Sequence, residues 1–382
     1  MRAGHQNGGG NAVISVVRVR RNRATARAAA VTDATAQALQ LTDDERAHLL
    51  RARILSRAFG LGAGLLWHHH LMGAVTAEQL EGLRGRLRSF CYQMLGSPFD
   101  AEDAVQDVLE RAWRAREQYD EARASLTTWC FRIARNVCID RLRETGRRPL
   151  PRDLQEPGID VGAPLVPALD VPWLTPAPAG WSGGSIVEQV AERSREVRFA
   201  VTRLLQSLPA TQRGAFTLRE VLGFSAADAA AALDTTVPAV NSALQRARAT
   251  LRDGVRAAAT VDGNRVERYA AAIERGDVQT LISLVSADVV LEMPPVPAWS
   301  RGVEQYREFM AHLFSWRGTD WATQVLAGGQ PGLLLYAVDG RRRVPHTVQL
   351  FAADAGGAID HVLVYHDDRL FKLFEQQSLP QR

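Results

Sequence analysis

"GFSAADAAAALDTTVPAVNSALQRARATLR", residues 223–252, reads as two short helices joined by a tight turn. Ser225 followed by Asp228 forms an S-x-x-D capping signal, which predicts a helix starting at Ser225 and running through Leu233. Asp234, Thr235 and Thr236 supply a polar turn and a second N-cap. Pro238 then falls in the first turn of the next helix, where its missing N–H costs nothing. In that helix Val237, Val240, Leu244, Ala247 and Leu251 recur at steps of three and four and predict one buried stripe. The opposite face carries Asn241, Ser242, Gln245 and Arg246, with Arg248 at its flank; such side chains hydrogen-bond base edges and phosphates. Two readings stand at this point, a DNA-reading turn-helix and a plain alanine-rich hairpin. A merely solvated face would carry Glu and Lys, which this one lacks.

The chain has 382 residues, which calls for two or three domains, and at 46% hydrophobic and 23% charged it is globular in composition. Its formal charge of +4 is compatible with a nucleic-acid partner without requiring one. Lys372 is the sole lysine. GC-rich codon usage is the ordinary cause, yet arginine also forms bidentate contacts to phosphate and guanine that lysine cannot. Cys91, Cys130 and Cys138 make neither a metal-ligand spacing nor a disulfide framework, so buried thiols in a reducing cytoplasm are expected. No apolar run is long enough for a bilayer and no cleavable signal is evident. The expectation is a cytoplasmic protein with no metal, no cofactor and no membrane partner.

Residues 1–71 differ from the rest. A glycine-rich start, the basic tract "RVRRNRATARAAA" and the triplet His68–His70 suggest a largely disordered extension, and Met72 is a candidate functional start. "TDATAQALQLTDDERAHLLRAR" resembles a fragment of some repressor-like helix-turn-helix regulators. Residues 77–147 read as a helical unit. Eight of the chain's 17 prolines fall between Pro149 and Pro178, which predicts an extended linker over 148–184. Helical patterning returns over 185–257, and 265–382 reads as an α+β domain, with strand-like runs such as "GLLLYAVDG" and "HTVQLFAAD".

Within the first unit, "DAEDAVQDVLERAW" (100–113) places Val105, Val108, Leu109 and Ala112 on one face and leaves Asp103, Gln106, Asp107 and Glu110 outward. An acidic face repels phosphate, so a protein partner fits it better. "SLTTWCFRIARNVCIDRLRETGRRP" (125–149) is the reverse. Arg132, Arg135 and Arg141 accompany Trp129 and Phe131, a mixture suited to unstacked bases, although both aromatics also suit a core. Asn136 and Asp140, one turn apart, either contact bases or brace the helix.

Taken together, these residues resemble a bacterial sigma factor of the extracytoplasmic-function group from about Leu80 to Arg252. "CYQMLGSPFDAEDAVQDVLERAW" is similar to the region-2 segment that docks on the clamp helices of the RNA polymerase β′ subunit. The resemblance implies docking through Asp103, Gln106, Asp107 and Glu110. "SLTTWCFRIARNVCIDRLR" is similar to the helix that melts and reads the −10 element, implying roles for Trp129, Arg132, Arg135, Asn136, Asp140 and Arg141. The opening stretch is similar to region 4, implying −35 contacts from Thr236, Asn241, Ser242, Gln245, Arg246 and Arg248. "VPWLTP" resembles a linker motif of a subgroup with a C-terminal extension, but "APAGWSGG" replaces the usual acidic, leucine-rich continuation.

Residues 265–382 resemble a SnoaL-like domain of the NTF2-like cone fold, carried by "VERYAAAIERGDVQTLISLVSADVVLEMPPVPAWSRGVEQYREFM". The expected fold is therefore multidomain: two all-α sigma domains followed by an α+β cone. Glu292, Trp299, His346 and His361 are the candidate pocket residues, for an unknown small ligand; Asp288, Asp360 and Tyr365 are further acid/base candidates without diagnostic spacing. Residues 261–382 hold 12 basic and 15 acidic residues, so a mildly acidic domain is tethered to basic ones and is expected to regulate them in cis. The implied function is promoter-specific initiation with core polymerase and promoter DNA as partners, without enzymatic activity. An ordinary ligand-responsive helix-turn-helix regulator is the alternative, and a cone-fold enzyme with a DNA-binding appendage a third.

Overall fold

Four helices make the first bundle: α1 (Ala77–Gly82), α2 (Arg84–Leu95), α3 (Pro98–Arg114) and α4 (Leu126–Thr145). The two long ones start by the same device. Ser97 Oγ accepts the Asp100 N–H at 3.3 Å ahead of α3, and Ser125 Oγ accepts the Thr128 N–H at 3.1 Å ahead of α4. On α3, Ala104, Val105, Val108 and Ala112 are fully buried and Leu109 is half-buried, and Phe90 and Phe131 meet edge to face at 5.4 Å.

This is a computed structural model, and it describes residues 75–178, 181, 198–255, 261–326 and 331–378. The expectations for residues 1–71 fall outside the described residues, as does the start of the stretch read as helical from 185. The chain forms two compact units. The larger joins Ala77–Ala115 to Ala122–Arg382; of the smaller, Met1–Thr76 with Arg116–Glu121, the main described feature is a 3-10 turn at Arg116–Gln118. Among the described residues, no helix is long and apolar enough to cross a membrane.

The second bundle holds α5 (Arg198–Gln206), α6 (Ala210–Phe216), a wider helical turn at Thr217–Val221, α7 (Ala226–Ala232) and α8 (Val237–Val255). Ser225 Oγ accepts the Asp228 N–H at 3.0 Å and opens α7 where the capping signal placed it. Asp234 takes the left-handed conformation (φ 52°) that turns the chain, and Thr236 caps α8 through the Ala239 N–H. Val240, Leu244, Ala247 and Leu251 are buried as the periodicity predicts. Val237 is not: it is 38% exposed, because packing begins a turn later at Val240, and Ala243 completes the stripe instead.

The third part comprises α9 (Gly263–Arg275), α10 (Val278–Leu284), β1 (Val285–Met293), β2 (Val296–Arg301), α11 (Val303–Arg317), β3 (Trp321–Val325), β4 (Gly332–Asp339), β5 (Arg342–Ala353), β6 (Ile359–Tyr365) and α12 (Asp368–Ser378). The strands form one sheet in the order β2-β1-β6-β5-β4-β3, antiparallel except for the parallel pair β1/β6. Because side chains alternate along a strand, the sheet has two distinct faces. Val289, Leu291, Leu335, Phe351 and Val362 pack under α9, α10 and α11. Leu334, Val348, Leu350, Leu363 and Tyr365 face the other way, under α12.

That second face is also where the proline-rich linker runs. Apart from a 3-10 turn at Pro151–Asp153 it is irregular, as its prolines dictate, but it does not hang free. Leu150 and Leu174 are fully buried in the cluster with Leu350, Leu363 and Phe371, and Tyr365 Oη donates to the Leu174 carbonyl at 3.0 Å. The linker amides of Gly158 and Ala168 donate to the carbonyls of Trp299 (2.7 Å) and Pro295 (2.9 Å).

The two helical bundles meet directly. Phe131 of α4 packs on Phe224, just ahead of α7, at 4.8 Å, and Gln206 Nε2 donates to the Gln93 carbonyl at 3.0 Å. Arg213 donates to the Met94 carbonyl. Gly96, the left-handed C-cap of α2 (φ 70°), lies at the crossing: a Cβ there would stand 2.8 Å from Leu174 Cδ1 and 2.9 Å from Gln206 Cδ. Gly96→Ala is therefore expected to cost about 1–3 kcal/mol, from backbone strain plus displacement of both neighbours. Urea unfolding monitored by tryptophan fluorescence checks this.

Candidate functional site

On α3, Asp103, Gln106 and Glu110 are exposed along one stripe, at the spacing that lines them up on a helix. Asp107 belongs to the same stripe but is half-buried, its Oδ2 accepting from Arg141 Nη2 at 2.7 Å. Arg141 also points Nη1 at the Asp100 carbonyl, at 3.4 Å. Arg141, expected on the promoter side, is thus held against α3 in this structure. It is turned inward because α3 offers it a carboxylate and a carbonyl at once.

On α4, Arg132 and Asn136 are exposed, and Arg135 donates to Asn136 Oδ1 at 2.8 Å. Asp140 accepts from Arg143 at 3.3 Å. Trp129 is half-buried, whereas Phe131 is wholly core, against Phe90 and Phe224. On α8, Asn241, Ser242, Gln245 and Arg246 share one exposed face; Thr236 is exposed at the cap, and Arg248 is paired with Glu220.

The cone's polar site is built where the linker crosses the sheet. Glu292 on β1 stands opposite Trp299 of β2 and beside β6, and its side chain is fully buried. Arg152, in the 3-10 turn of the linker, donates to it three times: its backbone N–H to Oε1 at 3.0 Å, and Nε and Nη2 to Oε2 at 2.8 and 2.7 Å. His361 Nε2 lies 2.6 Å from the same Oε2. Arg152 Nη2 is 2.7 Å from Nε2 and 3.2 Å from Nδ1 of His361. A carboxylate oxygen only accepts, so Nε2 carries the ring proton and donates to Glu292, which leaves Nδ1 as the ring acceptor facing Arg152 Nη2. Trp299 Nε1 donates to the Gln155 carbonyl at 2.8 Å, closing the site from the side.

Three of the four candidate pocket residues, Glu292, Trp299 and His361, are thus brought together. They stand on the face under the linker, opposite to the face covered by α9–α11, where Tyr269 and Tyr306 fill the interior with paired hydroxyls at 2.7 Å. His346 does not join them. It packs between Trp321 (5.0 Å) and His366 (4.9 Å), and burial lowers its pKa to about 4. Arg152 was missed by sequence reasoning, for it carries no motif. Its only signal was an arginine inside a segment otherwise read as a spacer.

Burial alone would raise the Glu292 carboxyl, but the hydrogen bonds and charges of His361 and Arg152 outweigh it and hold the group well below the usual carboxylate range. Burial lowers His361 to about 4; its bond to Glu292 opposes that shift and the charges of Arg152 and Arg203 add to it. The imidazole is therefore neutral at pH 7, and Arg152 is the cation that answers Glu292.

Residues 80–148 match the Sigma-70 region 2 family, residues 198–251 the Sigma-70 region 4 family and residues 266–366 the SnoaL-like domain family. The ECF RNA polymerase sigma factor SigG of Mycobacterium tuberculosis is 35% identical over 308 residues, 77% of this chain and 82% of that protein. The chain belongs to the extracytoplasmic-function RNA polymerase sigma factors. The ECF sigma-E factor of Escherichia coli K12 is 32% identical over 160 residues, 41% of this chain and 74% of that protein. The crystal structure of the M. tuberculosis extracytoplasmic-function sigma factor SigJ shares the fold at a TM-score of 0.51 and 23% identity, covering 78% of this chain and 99% of that one. As a sigma factor the chain binds core polymerase and promoter DNA and directs transcription initiation, which sets aside the plain-regulator alternative.

The His361 environment gives the fold a pH dependence of definite sign. Its pKa is lower folded than unfolded, so between the ordinary 6.5 and about 4 the unfolded chain binds the extra proton. Stability is full above 6.5 and declines as pH falls toward 4; depressed Glu292 acts in the same direction at the acid end, and His346 alongside His361. His361→Gln keeps a donor for Glu292 without titrating. Its midpoint of thermal unfolding is expected to fall less than that of the unaltered protein between pH 7.5 and 5.

Proposed function

We propose that this sigma factor docks on the β′ clamp helices through Asp103, Gln106 and Glu110, with Asp107 behind them. It reads the −35 duplex through α8 and opens the −10 element with α4, where Trp129, Arg132, Arg135, Asn136, Asp140 and Arg141 act. The domain boundaries follow from this: 77–147 for polymerase and −10 binding, 148–184 as linker, 185–257 for −35 binding and 265–382 for the cone. It works in the cytoplasm, on the nucleoid. The cone acts in cis, by holding the linker and through it the closed pairing of the two bundles. It needs no catalysis, since Arg152 and His361 occupy the oxygens of Glu292.

One observation carries the regulatory part of this reading. Promoter elements about 25 base pairs apart lie about 85 Å apart along B-form DNA. Phe131 and Phe224, which join the two DNA-reading bundles, are 4.8 Å apart. Two bundles in direct contact, whose longest helices of 20 and 19 residues span about 30 Å at 1.5 Å per residue, have to open before both elements are read at once. A buried linker with its carboxylate latch opposes that opening.

The docking face is tested by Asp103→Arg with Gln106→Arg, which leaves the Asp107–Arg141 pair intact. Affinity for core polymerase should fall at least about tenfold, or about 1.4 kcal/mol, with circular dichroism unchanged. Undiminished affinity would remove the assignment. The −35 face is tested by Gln245→Ala and Arg246→Ala. Each should cost about 1–3 kcal/mol of promoter discrimination on duplex templates and little where no −35 element is present.

A further inference from the structure

Resting on the reading that the cone holds the linker, we propose that Glu292 and His361, with Trp299 alongside, form a guanidinium-binding site on the linker-facing side of the sheet. Arg152 is its resident occupant, and a small guanidinium compound competes for the same place.

The chemistry of the site is that of a receptor rather than of a surface ion pair. Its carboxylate is wholly buried and fixed on a central strand, between β2 and β6. A buried carboxylate needs both compensating charge and donors for its lone pairs, and a planar fork of N–H groups supplies both in one group. The contacts use that fork: Nε and Nη2 converge on Oε2 while the backbone N–H of Arg152 takes Oε1. An ammonium would offer a point charge but not the planar fork. The neutral imidazole supports the fit, since it donates Nε2–H to Glu292 and brings no competing charge.

The occupant is held by a detachable segment. Arg152 lies in a single 3-10 turn of an otherwise irregular stretch, held at Leu150 and Leu174, by single amide bonds from Gly158 and Ala168 and by side-chain bonds from Trp299 and Tyr365. The receptor half is anchored differently, by the ladders β1/β2 and β1/β6. Departure of the linker would leave a preformed anionic cleft of guanidinium shape, because the strands bearing Glu292 and His361 are held by partners other than the linker. Arg203 of α5 lies within electrostatic reach of Glu292 and Arg152, which places the −35-reading bundle next to the same charges.

The test is chemical rescue in the full chain. Arg152→Ala removes the guanidinium and leaves only the backbone N–H on Glu292, and hydrogen exchange is followed in the peptide spanning Pro149–Gln155 and around Leu174. Exchange should quicken at least about tenfold, and methylguanidinium chloride at about 10 mM should slow it again, while methylammonium chloride at the same concentration should not. Calorimetry should show saturable methylguanidinium binding to Arg152→Ala, weakened at least about tenfold when Glu292→Gln is added. Equal responses to the two cations, or binding undiminished in the double variant, would overturn the proposal. So would the absence of binding to an Arg152→Ala protein whose circular dichroism shows it folded. If Arg152→Ala does not fold, Arg152→Lys keeps the charge without the fork; methylguanidinium should bind it and methylammonium should not, and no binding again overturns the site. Transcription measured in parallel judges the cis-regulation reading separately, so either can fail alone.

Discussion

The Glu292 carboxylate has no solvent of its own, and its charge must be answered from within the protein. The answer comes from 140 residues earlier in the chain, from Arg152. Removing one partner of a buried ion pair costs about 3–5 kcal/mol, because the remaining charge is stranded. That is a large share of the stability of an ordinary domain. The linker therefore cannot leave the sheet without either a replacement cation or a proton arriving at the site. His361 is placed to accept such a proton, yet while Arg152 is present the neighbouring positive charge and burial keep the imidazole neutral. Guanidinium and proton are alternatives at one carboxylate.

What the linker does locally propagates because it is shared among three parts of the molecule. Leu174 is core for the cone and also the nearest neighbour of a Cβ at Gly96, the end of α2. Gln206 of α5 meets the same glycine from the other side. A left-handed glycine with no side chain thus allows linker, first bundle and second bundle to converge within a few ångströms. The Phe131–Phe224 contact then joins the two bundles beyond that crossing. A separate ion pair, Asp107 with Arg141, ties the acidic stripe of α3 to α4. Residues assigned by sequence to two different partners are in contact with each other in the closed chain.

The local elements were legible in the sequence because their causes are local. Ser225, Thr236 and the steps of three and four in α8 are satisfied within a turn or two, so periodicity and capping predicted them, with Val237 the exception at an end where packing has not begun. The cone's candidate residues were legible as chemistry but not as geometry. Glu292 and His361 are 69 positions apart, and only the parallel β1/β6 ladder brings them together. His346 has the same chemistry, but its strand leads it to Trp321 instead. Arg152 was illegible for a further reason. Its role depends on a tertiary partner, and proline content alone says that a segment is not helical, not where it lies.

Those prolines have a more specific consequence than breaking helices. Inside an α-helix the N–H of Arg152 would be spent on the carbonyl four residues back, leaving only the side chain for Glu292. The first turn of any helix instead leaves its N–H groups without internal partners. Pro151 opens a single 3-10 turn, and Asp153 folds back so that its Oδ2 accepts the Leu150 N–H at 2.9 Å. Arg152, the second residue of that turn, is left with a free backbone donor on the same side as its guanidinium. Both oxygens of Glu292 are then reached from one residue: Oε1 by the backbone and Oε2 by the side chain. A flexible glycine-serine linker could carry an arginine but would pay heavily in entropy to fix both donors. The proline-rich composition that first marked this stretch as a spacer is what lets it act as a ligand.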